Sequence, residues 1–370
     1  MTGAFSTQAA QFDGRRGILR DASIRELAAA GAIEADAPFA DGQVQPASLD
    51  LRLGATAHRV RASFLPGPDR AVTDRLDDLT LHTFDLTNGA VLEVGCVYVV
   101  PLAERLRLPD SLSAVANPKS STGRLDVFTR VIADRTREFD TLRAGYDGPL
   151  FMEISPRTFP VLVRAGSRLG QIRFRGSYEP LSAAELARLH AEEGLLANDD
   201  ADVTAEGLAV SVDLSDREGP IGWRGKHHTG VVDVDAPGAH RTEDFWEPLT
   251  ANGVRGLILD PDEFYILASR EAVHVPPLYA AEMRPFDPLV GEFRVHYAGF
   301  FDPGFGHGTE GTGARAVLEV RSREVPFLLE HGQTVGRLVY ERMEARPEAL
   351  YGGSGSNYQR QGLKLSKHFR

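Results

Sequence analysis

The apolar positions of this chain change period several times along its length. Ile24, Leu27 and Ala28 recur at helical spacing after Ser23, a candidate N-cap, and Gly31 closes the segment, which predicts a short amphipathic helix. From Leu49 the period falls to two: Leu49, Leu51 and Leu53 alternate with Asp50 and Arg52 before Gly54, the pattern of a half-buried strand. Up to about Phe174 the chain then passes through short apolar runs at 91–94, 97–100, 127–132, 150–154, 161–163 and 169–174, set off by turn residues such as Pro109-Asp110, Gly145, Pro156 and Gly166. Short strands at that density predict an all-β sandwich, jelly roll or barrel.

The pattern then starts again. Leu181 to Leu189 rebuilds the amphipathic helix, and Gly194 ends it as Gly31 ended the first. Ser211-Val212-Asp213-Leu214 matches Ser48-Leu49-Asp50-Leu51 at an offset of 163 residues; Tyr265, Glu271, Pro276 and Pro285 match Tyr98, Glu104, Pro109 and Pro118 at 167; Glu319 matches Glu153 at 166. Landmarks in one order at nearly one offset mean an internal duplication. The expected architecture is mainly β: a mobile arm at 1–17, then two tandem jelly-roll-like domains at 18–178 and 179–370, each with a short N-terminal helix. The stretches 192–207 and 222–240 read as solvated loops. The second holds Lys226-His227-His228, a surface pair unless further ligands stand at useful spacing.

Composition narrows the class. At 370 residues the chain accommodates two ordinary domains, and 42% hydrophobic with 25% charged residues is globular usage. No apolar run approaches a membrane span and residues 1–14 lack the apolar core of a signal peptide, so no membrane partner and a cytoplasmic location are expected. A single cysteine, Cys96, excludes internal disulfides and a Cys-rich zinc site, and its apolar neighbours suggest a buried thiol. The net charge of −11 argues against general nucleic-acid binding, so an anionic substrate needs a local basic pocket.

One stretch offers such chemistry. Asn117-Pro118-Lys119-Ser120-Ser121-Thr122-Gly123-Arg124 packs two cations, three hydroxyls and a glycine into eight residues after the apolar run 112–115. Backbone N–H groups exposed near Gly123, the hydroxyls, the point charge of Lys119 and the fork of Arg124 together suit a phosphate chain. On spacing alone a polar turn between strands is the simpler reading, since no glycine-rich P-loop accompanies it.

Lys119 to Arg124, preceded by the strand Pro46 to Gly54 and the N-terminal helix, resembles the first half of a dCTP deaminase. The turn Phe301-Asp302-Pro303-Gly304-Phe305 and the later strand bearing Glu319 resemble the same family, and Asn357 to Gly362 is similar to its mobile tail, which closes over the nucleotide. The resemblance implies membership of the superfamily of trimer-forming β proteins that also holds the dUTPases. There the loop of one subunit holds the triphosphate, and the turn and glutamate of a neighbour hold the base. Carried onto this chain, it makes Glu319 the general acid/base, Ser120 the partner of the attacking water and Arg124 the group that fixes Ser120. Lys119 and Ser121 would hold phosphate, the backbone at Ala298 the base edge, Asp302 the deoxyribose hydroxyl and Phe305 the sugar. Tyr358 and Gln361 would close from a basic tail at 351–370, with Mg2+ accompanying the triphosphate and no zinc.

At the offset of 167 the second copy carries Phe286, Asp287, Pro288 and Gly291 where the first has Lys119, Ser120, Ser121 and Arg124, so its phosphate loop is lost. The first copy is longer between Ile132 and Gly148, with Phe139 to Tyr146 in place of a compact Asp-Pro-Gly-aromatic turn. One kind of site is therefore expected, made by the first copy's loop with the second copy's pocket and tail, in a closed homo-oligomer. The activity implied is deamination of dCTP to dUTP and ammonia. The alternatives are a dUTP diphosphatase, an enzyme of both activities, or a nucleotide-binding protein without catalysis. Gly306 to Gly311 has dinucleotide-like spacing but no following helix, and reads as a hairpin loop.

Overall fold

The structure is a computed structural model that describes residues 12, 14–197, 202–215, 219–250, 256–285, 293–295, 299–307, 313–322, 324–353 and 362–370. The fold is mainly β, as the short alternating runs predict. The chain forms two compact units: Met1–Glu179 with Val231–Pro237 and Met343–Ala349, and Pro180–Gly230 with Gly238–Arg342 and Leu350–Arg370. No described helix is long and apolar enough to cross a membrane.

In the first unit helix α1 (Asp21–Ala29) begins two residues before Ser23, so Ser23 is not its cap. Ser23 is buried within the helix and accepts a hydrogen bond from Arg15. Asp21 in the first turn instead accepts the amides of Glu348 and Ala349, while Gly31, at φ 74°, ends the segment in the left-handed region that glycine adopts without strain. Strand β1 (Leu49–Arg52) pairs with β6 (Arg168–Arg175), which pairs with β3 (Ser113–Pro118). A second sheet carries β2 (Val97–Arg107), β5 (Asp147–Pro156) and β4 (Val127–Ala133) in that order. Cys96 lies in the turn ahead of β2 and is only half-buried, with Arg59 donating to its sulfur at 3.4 Å, because the buried run starts two residues later at Tyr98.

The second unit repeats this plan. Helix α2 (Ala183–Glu193) opens on a capping box: the amide of Glu185 donates to Ser182 Oγ, the Glu185 carboxylate accepts the Ser182 amide, and Gly194 closes at φ 63°. Strands β7 (Gly207–Ser211), β11 (Thr334–Arg342) and β9 (Tyr279–Pro285) match β1, β6 and β3, while β8 (Phe264–Val273) pairs with β10 (Ala314–Ser322) as β2 does with β5. The matched landmarks do matched jobs: the Tyr98 hydroxyl accepts the Glu93 amide at 3.0 Å and the Tyr265 hydroxyl the Asp260 amide at 2.9 Å. The core is formed by Leu208, Val210, Leu267, Leu318, Leu338 and Tyr340 with their neighbours.

The duplication holds, but one landmark shifts. Leu51 lies opposite Gly170, and Val210 opposite Gly336, so the first strands correspond at an offset of 159 and not 163. Ser211 is thus the counterpart of Arg52, and Ala209 that of Asp50. Arg52 and Ser211 each hold the matching buried carboxylate: Glu104 accepts the Arg52 amide and Nε, and Glu271 accepts the Ser211 amide and hydroxyl. The stretch read as loop at 222–240 also contains strand, Gly222–Gly225 in the second unit and Val232–Asp233 in the first.

Candidate active site

In the first unit β3 delivers the chain to Lys119, and Ser120–Gly123 forms one helical turn. The turn consumes its own donors: the amides of Thr122 and Gly123 bond to Lys119 O at 2.8 and 2.9 Å, and that of Arg124 to Ser120 O at 3.1 Å. The N–H groups of Thr122, Gly123 and Arg124 therefore face the turn and are not available to an anion. Ser120 is half-buried, Ser121 and Arg124 are buried, and the Lys119 ammonium is paired with the buried Asp50 carboxylate. Arg168 Nη1 stands 3.6 Å from the same Asp50 oxygen.

The region beyond β4 differs from expectation. A short strand, Thr141–Leu142, pairs with β3, and the chain then turns through Arg143-Ala144-Gly145-Tyr146, where the Tyr146 amide donates to Arg143 O, and the Leu108 amide to Tyr146 O at 2.8 Å. In the second unit Phe300–Phe301 pairs with β9, the Phe305 amide donates to Asp302 O, and the Val275 amide to Phe305 O at 2.8 Å. The first unit therefore keeps the turn, with Gly145 at φ 70° matching Gly304 at φ 96°; what it lacks is the aspartate, replaced by Arg143. In the second unit Asp302 is buried, and Phe305 is buried against Phe301 and Tyr351 at ring distances of 5.0 and 5.5 Å.

Glu153 and Glu319 occupy one register position: Glu153 lies opposite Val99 of β2, and Glu319 opposite Ile266 of β8. Both are buried. Glu153 faces Arg130 across the β4 pairing, and Arg130 is sandwiched between Phe128 and Phe139 at 4.4 and 4.5 Å. Burial pushes the Glu153 carboxyl above its usual range, against a hydrogen bond from Ser63 and the charge of Arg130. Beside it, the Asp140 carboxylate accepts the Val131 amide at 2.7 Å, and the Asp140 amide donates to Val131 O at 2.9 Å. Desolvation drives the Asp140 carboxyl up to about 7, against the Val131 bond and Arg130. The same strand-to-strand bond identifies its counterpart, since Ala116 N donates to Asp140 O where Met283 N donates to Gly299 O. The second unit has no side chain at that position.

Ala298, Tyr358 and Gln361, and the degenerate loop at 286–292, lie outside the described residues. The far end of the expected flap does not behave as one. Phe369 packs on Phe245 and Trp246 at 5.3 and 5.7 Å, Gly238 N donates to Lys367 O, and Ser366 and His368 are buried, so residues 363–370 are docked in the second unit. His227 meets Glu263 at 3.0 Å on the surface, and no group of three or more metal-ligating side chains occurs among the described residues. Sequence reasoning gave no role to Asp50, Arg168, Asp140 or Gly299. Only the pairing of loop with strand reveals them.

Two family models match in succession. The model of the 2'-deoxycytidine 5'-triphosphate deaminase N-terminal domain covers residues 15–178 and that of the C-terminal domain residues 182–369. A crystal structure described as 2'-deoxycytidine 5'-triphosphate deaminase from Agrobacterium tumefaciens is 64% identical, covers 92% of this chain and 100% of that one, and superposes with a TM-score of 0.88. Among curated proteins, the dCTP deaminase of Haloarcula marismortui is 31% identical over 160 residues, 42% of this chain and 79% of its own. The protein of Methanoculleus marisnigri named dCTP deaminase, dUMP-forming, is 33% identical over 161 residues, again 42% and 79%. Matches on both halves, with the loop, turn and glutamates in order, leave one assignment: the chain belongs to the 2'-deoxycytidine 5'-triphosphate deaminase family.

Proposed function

We propose that the protein deaminates dCTP by hydrolysis, releasing ammonia, with one complete set of reacting residues divided between its two units. The observation that carries this reading is the complementary difference between the repeats. The cationic loop stands in the first unit, whereas Asp302, Gly299 and an acid not faced by a second carboxylate at Gly299's position stand in the second.

Water adds at C4 of the cytosine ring, the C4–N bond breaks and ammonia leaves. Glu319 takes the proton from the water and returns one to the departing amine, work suited to a buried carboxylate held on a strand. Ser120 orients the water, and Arg124 fixes Ser120 and stabilises developing charge. Lys119 and Ser121 hold phosphate, Asp302 the deoxyribose hydroxyl, and Phe305 packs on the sugar. Ala298, Tyr358 and Gln361 complete the substrate contacts. The described residues offer no dedicated cage for a cation, so Mg2+ would travel with the triphosphate oxygens. With one cysteine, the His/Cys ligand set and Pro-Cys-x-x-Cys motif of zinc deaminases have no place in this sequence. The working form is a closed homo-oligomer in the cytoplasm, acting on free nucleotides and not on nucleic acid, in keeping with a net charge of −11.

A second reading concerns the product. Relatives of similar identity carry both names, dCTP deaminase and dCTP deaminase, dUMP-forming, so dUTP and dUMP are both open. Incubation with dCTP and separately with dUTP, assaying ammonia and pyrophosphate, decides. Ammonia from dCTP without pyrophosphate from either supports dUTP as product, and pyrophosphate from both supports dUMP. Tight dCTP binding with no ammonia at any pH would sink the enzyme reading.

A further inference from the structure

The sharpest correlated difference between the repeats surrounds Asp50. On β1 it lies opposite Gln171 of β6, and the register of β6 against β1 slips between Arg168 and Gly170. Such a bulge re-aims the side chain beside it. On the other side of β6 the Lys119 amide donates to Leu169 O at 2.9 Å, bringing the loop to the same place. Lys119 and Arg168 consequently converge on a single oxygen of a carboxylate whose side chain is 1% exposed, while their own side chains stay 21% and 34% exposed.

The second unit keeps the backbone device and discards the charges. Its β7 slips against β11 between Val210 and Ser211, opposite Gly336 and Thr334. There Asp50 is replaced by Ala209 and Arg168 by Thr334, and the offset of 167 places Phe286 at Lys119. The neighbouring buried carboxylate behaves differently, since Glu104 is retained as Glu271 with a new donor. The fold thus needs Glu104 and its counterpart, but does without the Asp50 set wherever the phosphate loop is absent.

We propose that Arg168 is a second phosphate-binding cation beside Lys119, and that Asp50 is the positioning residue that holds both; the ligand is the polyphosphate chain of a nucleotide. This rests on the loop reading above. Two cations so close would repel without the buried anion, and these three charges sum to one net positive charge, to which Arg124 adds a second at the loop. Arg168 supplies a planar fork and Lys119 a point charge, which suits several phosphate oxygens at different angles.

The test measures kcat and KM for dCTP, with dCMP and dCDP as competitive inhibitors, in four variants whose melting temperatures are recorded. Arg168→Gln is expected to raise KM about tenfold, as loss of one charge-assisted contact does, with kcat within about twofold. It should also flatten the gain in affinity from dCMP to dCTP, and Arg168→Lys should restore part of both. For Asp50→Asn simple electrostatics predicts tighter phosphate binding, because a negative charge is removed; positioning predicts a higher KM. Tighter binding would overturn Asp50's role. An unchanged KM in Arg168→Gln while Lys119→Gln raises it overturns Arg168 alone. No change in Lys119→Gln overturns the loop reading itself. Should Asp50→Asn lose its fold, the partly exposed Arg168 still decides.

Discussion

In the first unit Asp140 closes onto both backbone groups of Val131 beside a glutamate faced by Arg130, whereas in the second the matching position is Gly299 beside Glu319. The pairing of the central strands, the turn and the register of the two glutamates are the same. Apart from the longer chain between Ile132 and Gly148, what separates the two positions is a handful of side chains, with Arg143 in place of Asp302 among them.

The largest effect expected on that contrast comes from the glutamates. Glu319→Gln should lower kcat by about 10³-fold, the usual scale for losing a general acid/base, while Glu153→Gln should stay within about threefold. Equal losses measured by ammonia release would erase the distinction between the units. Next comes the closing residue. Gly299→Asp places a carboxylate where the second unit has none and should lower kcat/KM about a hundredfold, while Asp140→Gly leaves turnover within about twofold. An active Gly299→Asp variant would mean that Asp140 does not close anything.

The last effect is on stability and leaves turnover aside. The folded Asp140 carboxyl titrates at about 7 against an ordinary value of 3.8, so the folded protein holds this proton more tightly than the unfolded chain. Stability is then lost as pH rises from about 4 to about 7, with no further loss above. Asp140→Asn keeps an oxygen for the Val131 amide, and Asn tolerates the left-handed φ of 61° found here. It should be more stable than the parent at pH 8, by up to a few kcal/mol, and should match it at pH 4. A variant less stable at pH 8 would show that the charged form is well accommodated.

Landmarks with a specific mechanical task were legible in the sequence. Tyr98 and Tyr265 matched because each hydroxyl accepts the amide five residues earlier. The Ser-x-Asp-Leu match misled because a slip of four residues preserves the alternation of inward and outward side chains, and pairing with β6 and β11 sets the register instead. The turn at Arg143 was hidden for a related reason: the chain between Ile132 and Gly148 differs in length from its counterpart, so no fixed offset aligns it. The cationic composition of Lys119 to Arg124 stands out in the sequence, but its contact with Asp50 and Arg168 needed three strands to be placed side by side. The docking of Phe369 depends on partners more than a hundred residues away, Trp246 among them, and basic composition alone suggested a free tail.

The first unit takes Val232 and Asp233 as an added strand on Val161 and Leu162, with Asp233 gripped by Arg164, and takes Glu344, Glu348 and Ala349 against Arg15, Arg20 and Asp21. Those late segments invert the usual order of biosynthesis, in which N-terminal domains complete first as they leave the ribosome. Here the first 179 residues emerge early, yet their last partners arrive only when residue 349 has been made. The nascent chain must carry an N-terminal unit whose added strand waits for residue 233 and whose first helix waits for residue 349.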